Sequence, residues 1–192
     1  MKVFMQTVAF SCAIALLAVV LLPLAGCSAY GSKPVRLSYS NTDYGFSITR
    51  SDRYEDVYPF VAGDLRFKVG FFDKDGAAPV GGGMPGGLWV AGIGEKQRSR
   101  LAPDKREALL DELVRDYAKQ GKTKAADWGR TTIGDLPAAW LEDTDPQTNG
   151  KRLTYLVVGS KDIYVLVGLS SLALWEESRP LLVEAIESFR EL

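Results

Sequence analysis

The chain has 192 residues, room for one domain or at most two, and its 46% hydrophobic and 24% charged content is that of an ordinary globular protein. A formal net charge of −1 argues against nucleic acid, because neutralising phosphates needs a basic excess. Histidine is absent, which excludes Ser-His-Asp and Cys-His catalysis and most catalytic zinc sites; two cysteines, Cys12 and Cys27, are too few for a Cys-based metal cluster.

The N-terminal segment carries Lys2 and then, from Val8 to Leu22, the uncharged run VAFSCAIALLAVVLL. The run is short for a spanning helix and Pro23 closes it, so it reads as a secretory signal and not as a permanent anchor. It leads into Leu24-Ala25-Gly26-Cys27, which resembles the lipobox of bacterial lipoproteins at all four positions. The resemblance implies that the Cys27 thiol is alkylated with diacylglycerol and that cleavage falls just before it, so that Cys12 leaves with the signal. Two or three acyl chains anchor stably where one binds marginally. The implied domains are a signal peptide at 1–26, a lipidated tether at 27–34 and a body at 35–192. The implied address is the bacterial cell envelope, lipid-anchored, with the body outside the cytoplasm. Ser28 follows the cysteine where an inner-membrane retention signal has Asp, so a host with two membranes would carry the protein on the outer one, facing the periplasm.

Strand-like alternation opens the body at 35–39 and, after the turn Asn41-Thr42-Asp43, at 44–48. A further strand is expected at 55–60. Leu65, Phe67, Val69 and Phe71 share one face of the next. The stretch GAAPVGGGMPGG, 76–87, reads as a loop, and a strand resumes at 88–93. Asp104 and Glu107 have capping-box spacing ahead of a helix whose Leu109, Leu110, Leu113, Val114 and Tyr117 line one side, with Gly121 as its stop. Strands follow at 127–133 and 138–142, then the turn residues Asp145-Pro146 and Asn149-Gly150. A hairpin spans 152–158 and 163–169 around Gly159-Ser160-Lys161-Asp162. Pro180 suits the first turn of a closing helix that buries Leu182, Ala185, Ile186 and Phe189. Short hairpin links imply an antiparallel sheet, and two amphipathic helices imply a cover on each face. The expected class is α+β, an antiparallel sheet sandwiched by helices.

This order resembles the PsbP-like fold over roughly residues 38 to 191. The resemblance is carried by Tyr39 with Tyr44-Gly45-Phe46-Ser47-Ile48, by Gly134-Asp135-Leu136-Pro137-Ala138, by Leu153-Thr154-Tyr155 with Tyr164-Val165-Leu166, and by Ile186-Glu187-Ser188-Phe189. Ser51-Asp52-Arg53-Tyr54 stands where the family often has Pro and Trp. The resemblance implies an accessory or binding protein more often than an enzyme.

Sites for chemistry are sparse. The glycine loop at 81–87 has no Lys-Ser/Thr pair and leads into a strand, so it is neither a P-loop nor a dinucleotide-binding turn. Asp73-Lys74-Asp75-Gly76 and Asp143-Thr144-Asp145 lack the rest of a calcium loop and read as solvated turns. A paired-carboxylate hydrolase needs only acids, yet these sit mainly in turns and on helix surfaces, as Glu107, Asp111 and Glu112 do. The expectation is a non-catalytic binding or assembly module with no cofactor, an envelope protein as partner, and the membrane reached through the diacylglyceryl anchor. The alternatives are a small-molecule or lipid carrier with a cavity between sheet and helix, and a carboxylate-based hydrolase. Of four tryptophans, Trp89, Trp140 and Trp175 are expected in the core or on hairpins. Trp128, between Asp127 and Gly129-Arg130, is the candidate partner anchor, with Met84 as an adaptable apolar contact.

Overall fold

The computed structural model describes residues 35–56, 65–74, 86–93, 100–119, 127–145 and 150–192. Cys12, Cys27, Met84, most of the glycine loop, Gly121 and Pro146 lie outside the described residues. The described part belongs to one compact unit, Pro34–Leu192.

Among the described residues, ten strands fall into two antiparallel sheets. A small sheet has the order β1-β2-β10, from β1 (Arg36–Asn41), β2 (Phe46–Ser51) and β10 (Arg190–Glu191). The large sheet contains β3 (Tyr54–Asp56), β4 (Leu65–Asp73), β5 (Gly87–Ile93), β6 (Asp127–Ile133), β7 (Leu136–Asp145), β8 (Gly150–Val158) and β9 (Ile163–Ser171). Its order is β3-β4-β5-β9-β8-β7-β6, with every neighbouring pair antiparallel. The described residues also form two α-helices, α1 (Arg106–Lys119) and α2 (Trp175–Glu187).

Alternation sorts the large sheet's side chains into two cores. On one face Phe67, Val69, Phe71, Val90, Val157 and Leu166 pack against Phe46 and Ile48 of β2 and against Trp175, Leu182 and Ile186 of α2. Aromatic rings dominate this core: Phe46 lies 5.4 Å from Phe67 and 5.9 Å from Phe189, centroid to centroid. On the other face Ala139, Leu141, Leu156 and Ile163 pack against Leu109 and Leu110 of α1, with Leu113, Val114 and Tyr117 at the margin. The α+β sandwich is therefore present, but one of its outer layers is α2 together with a second sheet.

Several local expectations shift. Tyr44 and Gly45 belong to the β1–β2 turn, which Gly45 closes at φ 73°, its N–H donating to the Asn41 carbonyl at 2.9 Å. Of the strand expected at 55–60, the described part is Tyr54–Asp56. Leu136 and Pro137 are strand residues, so the β6–β7 turn is Gly134-Asp135 alone. Asp145 and Gly150 likewise pair as the ends of β7 and β8.

The capping box does not form. Pro103–Lys105 is a 3-10 turn, Ala102 stands at its cap with no side-chain hydrogen bond, and Glu107 reaches Arg130 on β6 instead. Pro103 sets the turn one residue too early for Asp104 to act as cap. Pro180 lies inside α2 because the helix starts at Trp175, straight from the 3-10 turn Leu172–Leu174. A proline at the sixth helical residue forgoes one backbone hydrogen bond; burial of Trp175 and Ser178 holds the preceding turn in place.

Candidate functional site

Strand β6 ends the large sheet and pairs only with β7 among the described residues. It contains no proline or lysine and shows no register shift against β7, so of the usual devices that blunt a sheet edge it carries only the charges of Asp127 and Arg130. Its residues are exposed apart from Gly129 and Ile133. Trp128 lies opposite Leu141, on the α1 side of the sheet, and is 58% exposed. The expected anchor is thus on an open rim. Trp89 and Trp175 are buried and Trp140 is half-buried, as the sequence suggested for them.

Two neighbours fix the surroundings of Trp128. Arg130 lies on the same face and is held by Glu107 at 2.8 Å and by Asp111, both on α1. On the opposite face the Trp140 ring crosses the strand above Gly129, where an added Cβ would come within 2.7 Å of the indole nitrogen. Glycine is therefore the residue that lets Trp140 lie flat over β6.

A second feature is a cavity of about 340 Å³ at one end of the sheets, lined by Thr42, Tyr44, Gly45, Arg66, Ser160 and Lys161. The Tyr44 ring beside it stacks on Phe67 at 4.6 Å. Its cations are already matched. Arg66 donates to Asp162 at 2.7 Å and to the Asp43 carbonyl at 2.8 Å, and Lys161 donates to the Leu192 carbonyl. The carrier reading looked for a cavity between sheet and helix; this one lies among strand ends and turns.

Glu191 anchors that end. Its carboxylate accepts from the Ser160 N–H at 2.7 Å, Ser160 Oγ at 2.6 Å, the Lys161 N–H at 2.8 Å and the Tyr164 hydroxyl at 3.0 Å. Burial alone would raise its pKa, but these donors outweigh it and hold the carboxyl below its ordinary value. A depressed carboxyl stabilises the fold above its unfolded pKa, and the contribution fades as pH falls through the folded one. Glu191→Gln is expected to melt below the wild type at pH 7, with the gap closing at pH values below about 4. Thermal melts of both proteins across pH 3–7 check this.

Three further acids are structural. Asp73, expected in a solvated turn, is buried at the end of β4 against Arg53 at 2.7 Å. Asp143 is buried in β7 and accepts both arms of Arg152, at 3.1 and 2.6 Å. Glu142 takes hydrogen bonds from Trp175, Arg179 and Lys151, and the two cations hold its pKa down against the effect of burial. Among the described residues, every carboxyl whose pKa moves (Glu112, Glu142 and Glu191) moves downward, whereas a paired-carboxylate mechanism needs one raised. No cluster of three possible metal-ligating side chains occurs among the described residues, and no described helix is long and apolar enough to cross a membrane.

No protein-family model and no curated protein matches the chain. Solved structures do. The chain is similar to the cyanobacterial PsbP protein CyanoP from Synechocystis sp. PCC 6803, with a TM-score of 0.49 and 14% identity, over 88% of this chain and 99% of that one. It is similar to the Ran-binding protein Mog1p from Saccharomyces cerevisiae, with a TM-score of 0.48 and 9% identity, over 83% and 96% of the two chains. A protein of unknown function from Pseudomonas aeruginosa follows at 0.43 and 9% identity, over 80% and 94%.

Proposed function

We propose that this chain is a lipid-anchored envelope protein whose body is a non-catalytic binding or assembly module of PsbP-like α/β/α arrangement. The observation that carries the binding role is the β6 edge, unpaired among the described residues, with Trp128 exposed on it. A free strand offers a row of backbone donors and acceptors to an extended segment of another chain, and a rigid aromatic beside them supplies the apolar contact that such pairing needs. The matched cations of the end cavity and the neutralised acids of the sheet favour this role over a carrier or a hydrolase.

Anchoring rests on Leu24-Ala25-Gly26-Cys27 and the apolar run before it. Cys27→Ser is expected to abolish acyl labelling by radiolabelled palmitate and to release the protein from washed membranes. Label retained on the variant would overturn the lipobox reading. The docking role is tested separately. A photo-crosslinking amino acid in place of Trp128, in the host's own envelope, should give a discrete protein adduct. The same probe at the buried position Leu153 should give none. Absence of any adduct at position 128 would overturn the docking role.

A further inference from the structure

The first five residues of β6, Asp-Trp-Gly-Arg-Thr, match themselves in reverse, with Asp127 falling opposite Thr131 and Trp128 opposite Arg130. The two-residue turn Gly134-Asp135 makes Ile133 and Leu136 a hydrogen-bonded pair. Alternation from there directs the backbone groups of Thr131, Gly129 and Asp127 toward β7, and those of Trp128, Arg130 and Thr132 toward the open side. An antiparallel partner on that side must therefore bond to residues 128, 130 and 132. A two-fold axis through Gly129 sets Trp128 opposite Arg130 of the second copy, and Arg130 opposite its Trp128. Both pairs lie on the α1 face, where Glu107 and Asp111 hold each guanidinium as a fixed plate for the facing indole. On the other face the axis brings two bare glycines together, with a Trp140 ring over each.

Two alternative registers are worse. An axis through Arg130 sets the two Arg130 side chains against each other, a like-charge pair. An axis through Thr131 leaves Trp128 facing the turn glycine, Gly134. Of these three registers, the one about Gly129 pairs Trp128 with Arg130 and so uses both exposed features of the strand.

We infer that the occupant of the β6 edge is a second copy of this chain, paired antiparallel about Gly129 into one continuous sheet across a two-fold dimer. The inference rests on the docking role proposed above and names its partner. The register makes a geometric demand: Asp127 of one copy lies beside Thr131 of the other as a non-hydrogen-bonded pair, close enough for a disulfide between cysteines placed there.

The test uses the full chain in its own membranes. With Asp127→Cys and Thr131→Cys combined, mild oxidation should give a covalent dimer, whereas each single variant should stay monomeric on a non-reducing gel. In detergent, sedimentation of the lipidated wild type should show a dimer, and Trp128→Ala, which removes an exposed side chain and leaves the core alone, should weaken it roughly tenfold or more through loss of both Trp-Arg pairs. Failure of the double variant to cross-link, or equal cross-linking by the single variants, overturns the register. A wild type that sediments as a monomer overturns the dimer. In that case the adduct at position 128 decides the rest: a heterologous protein there keeps the docking role with a different partner, and no adduct removes both.

Discussion

Trp175→Ala is expected to lower the stability of the body by about 3–5 kcal/mol, the range for deleting a fully buried aromatic side chain. Trp175 is 1% exposed and opens α2, where its ring packs into the core shared by the large sheet, β2 and α2. Its indole N–H donates to Glu142 at 3.2 Å, so the substitution also removes one of the three donors on a largely buried carboxylate. For a unit of this size the loss corresponds to a fall in Tm of roughly 6–20 °C. Trp175→Phe keeps most of the apolar volume and forfeits the hydrogen bond, and should fall well short of that. Thermal melts of the three proteins separate the packing contribution from that of the donor.

Arg53→Ala is expected to cost about as much for a different reason. The side chains of Arg53 and Asp73 are only 8% and 3% exposed, and Nε meets Oδ1 at 2.7 Å. Removing the guanidinium takes the ion-pair partner from a carboxylate that has almost no access to water, for which about 3–5 kcal/mol is typical. The second contact of Arg53, to the exposed Glu177, contributes little because water screens it. Replacing both members, with Arg53→Met and Asp73→Leu, should recover much of the loss, since an apolar pair of similar volume carries no desolvation penalty. Urea denaturation of the two single variants and the double variant closes the cycle. A double variant no more stable than Arg53→Ala would show that Asp73 is needed for its other contacts and not for its charge pair.

The two sites show what the sequence conveyed and what it withheld. The period-two runs at Leu65–Phe71 and through the 152–169 hairpin, and the helical spacing of Leu109 to Tyr117, led directly to elements because burial on one face writes itself into local order. Trp128 was legible too, since its neighbours Asp, Gly and Arg would be poor company in a core. Asp73, Asp143 and Asp162 were not legible. A buried acid next to a turn looks like a solvated one until its arginine is located elsewhere in the fold: Arg66 and Arg152 reach their acids from β4 and β8, and Arg53 from the turn between β2 and β3. The second sheet was hidden for a related reason. Nothing local to β2 announces that its other edge is taken by Arg190 and Glu191. Proline misled twice: Pro103 starts a 3-10 turn that displaces the capping box, and Pro180 sits inside α2 because the surrounding packing outweighs its cost.

The pairing of β10 with β2 has a consequence in time. Ser47 and Phe46 meet Arg190 and Glu191, partners separated by most of the body's length. Phe46 also stacks on Phe189, so the aromatic core stays open on that side until the last strand arrives. Contacts of such separation form slowly. For a chain exported as proposed above, the body cannot complete itself while its tail is still inside the cell. Such a chain would stay threadable during transit, with closure of the last strand as the final step.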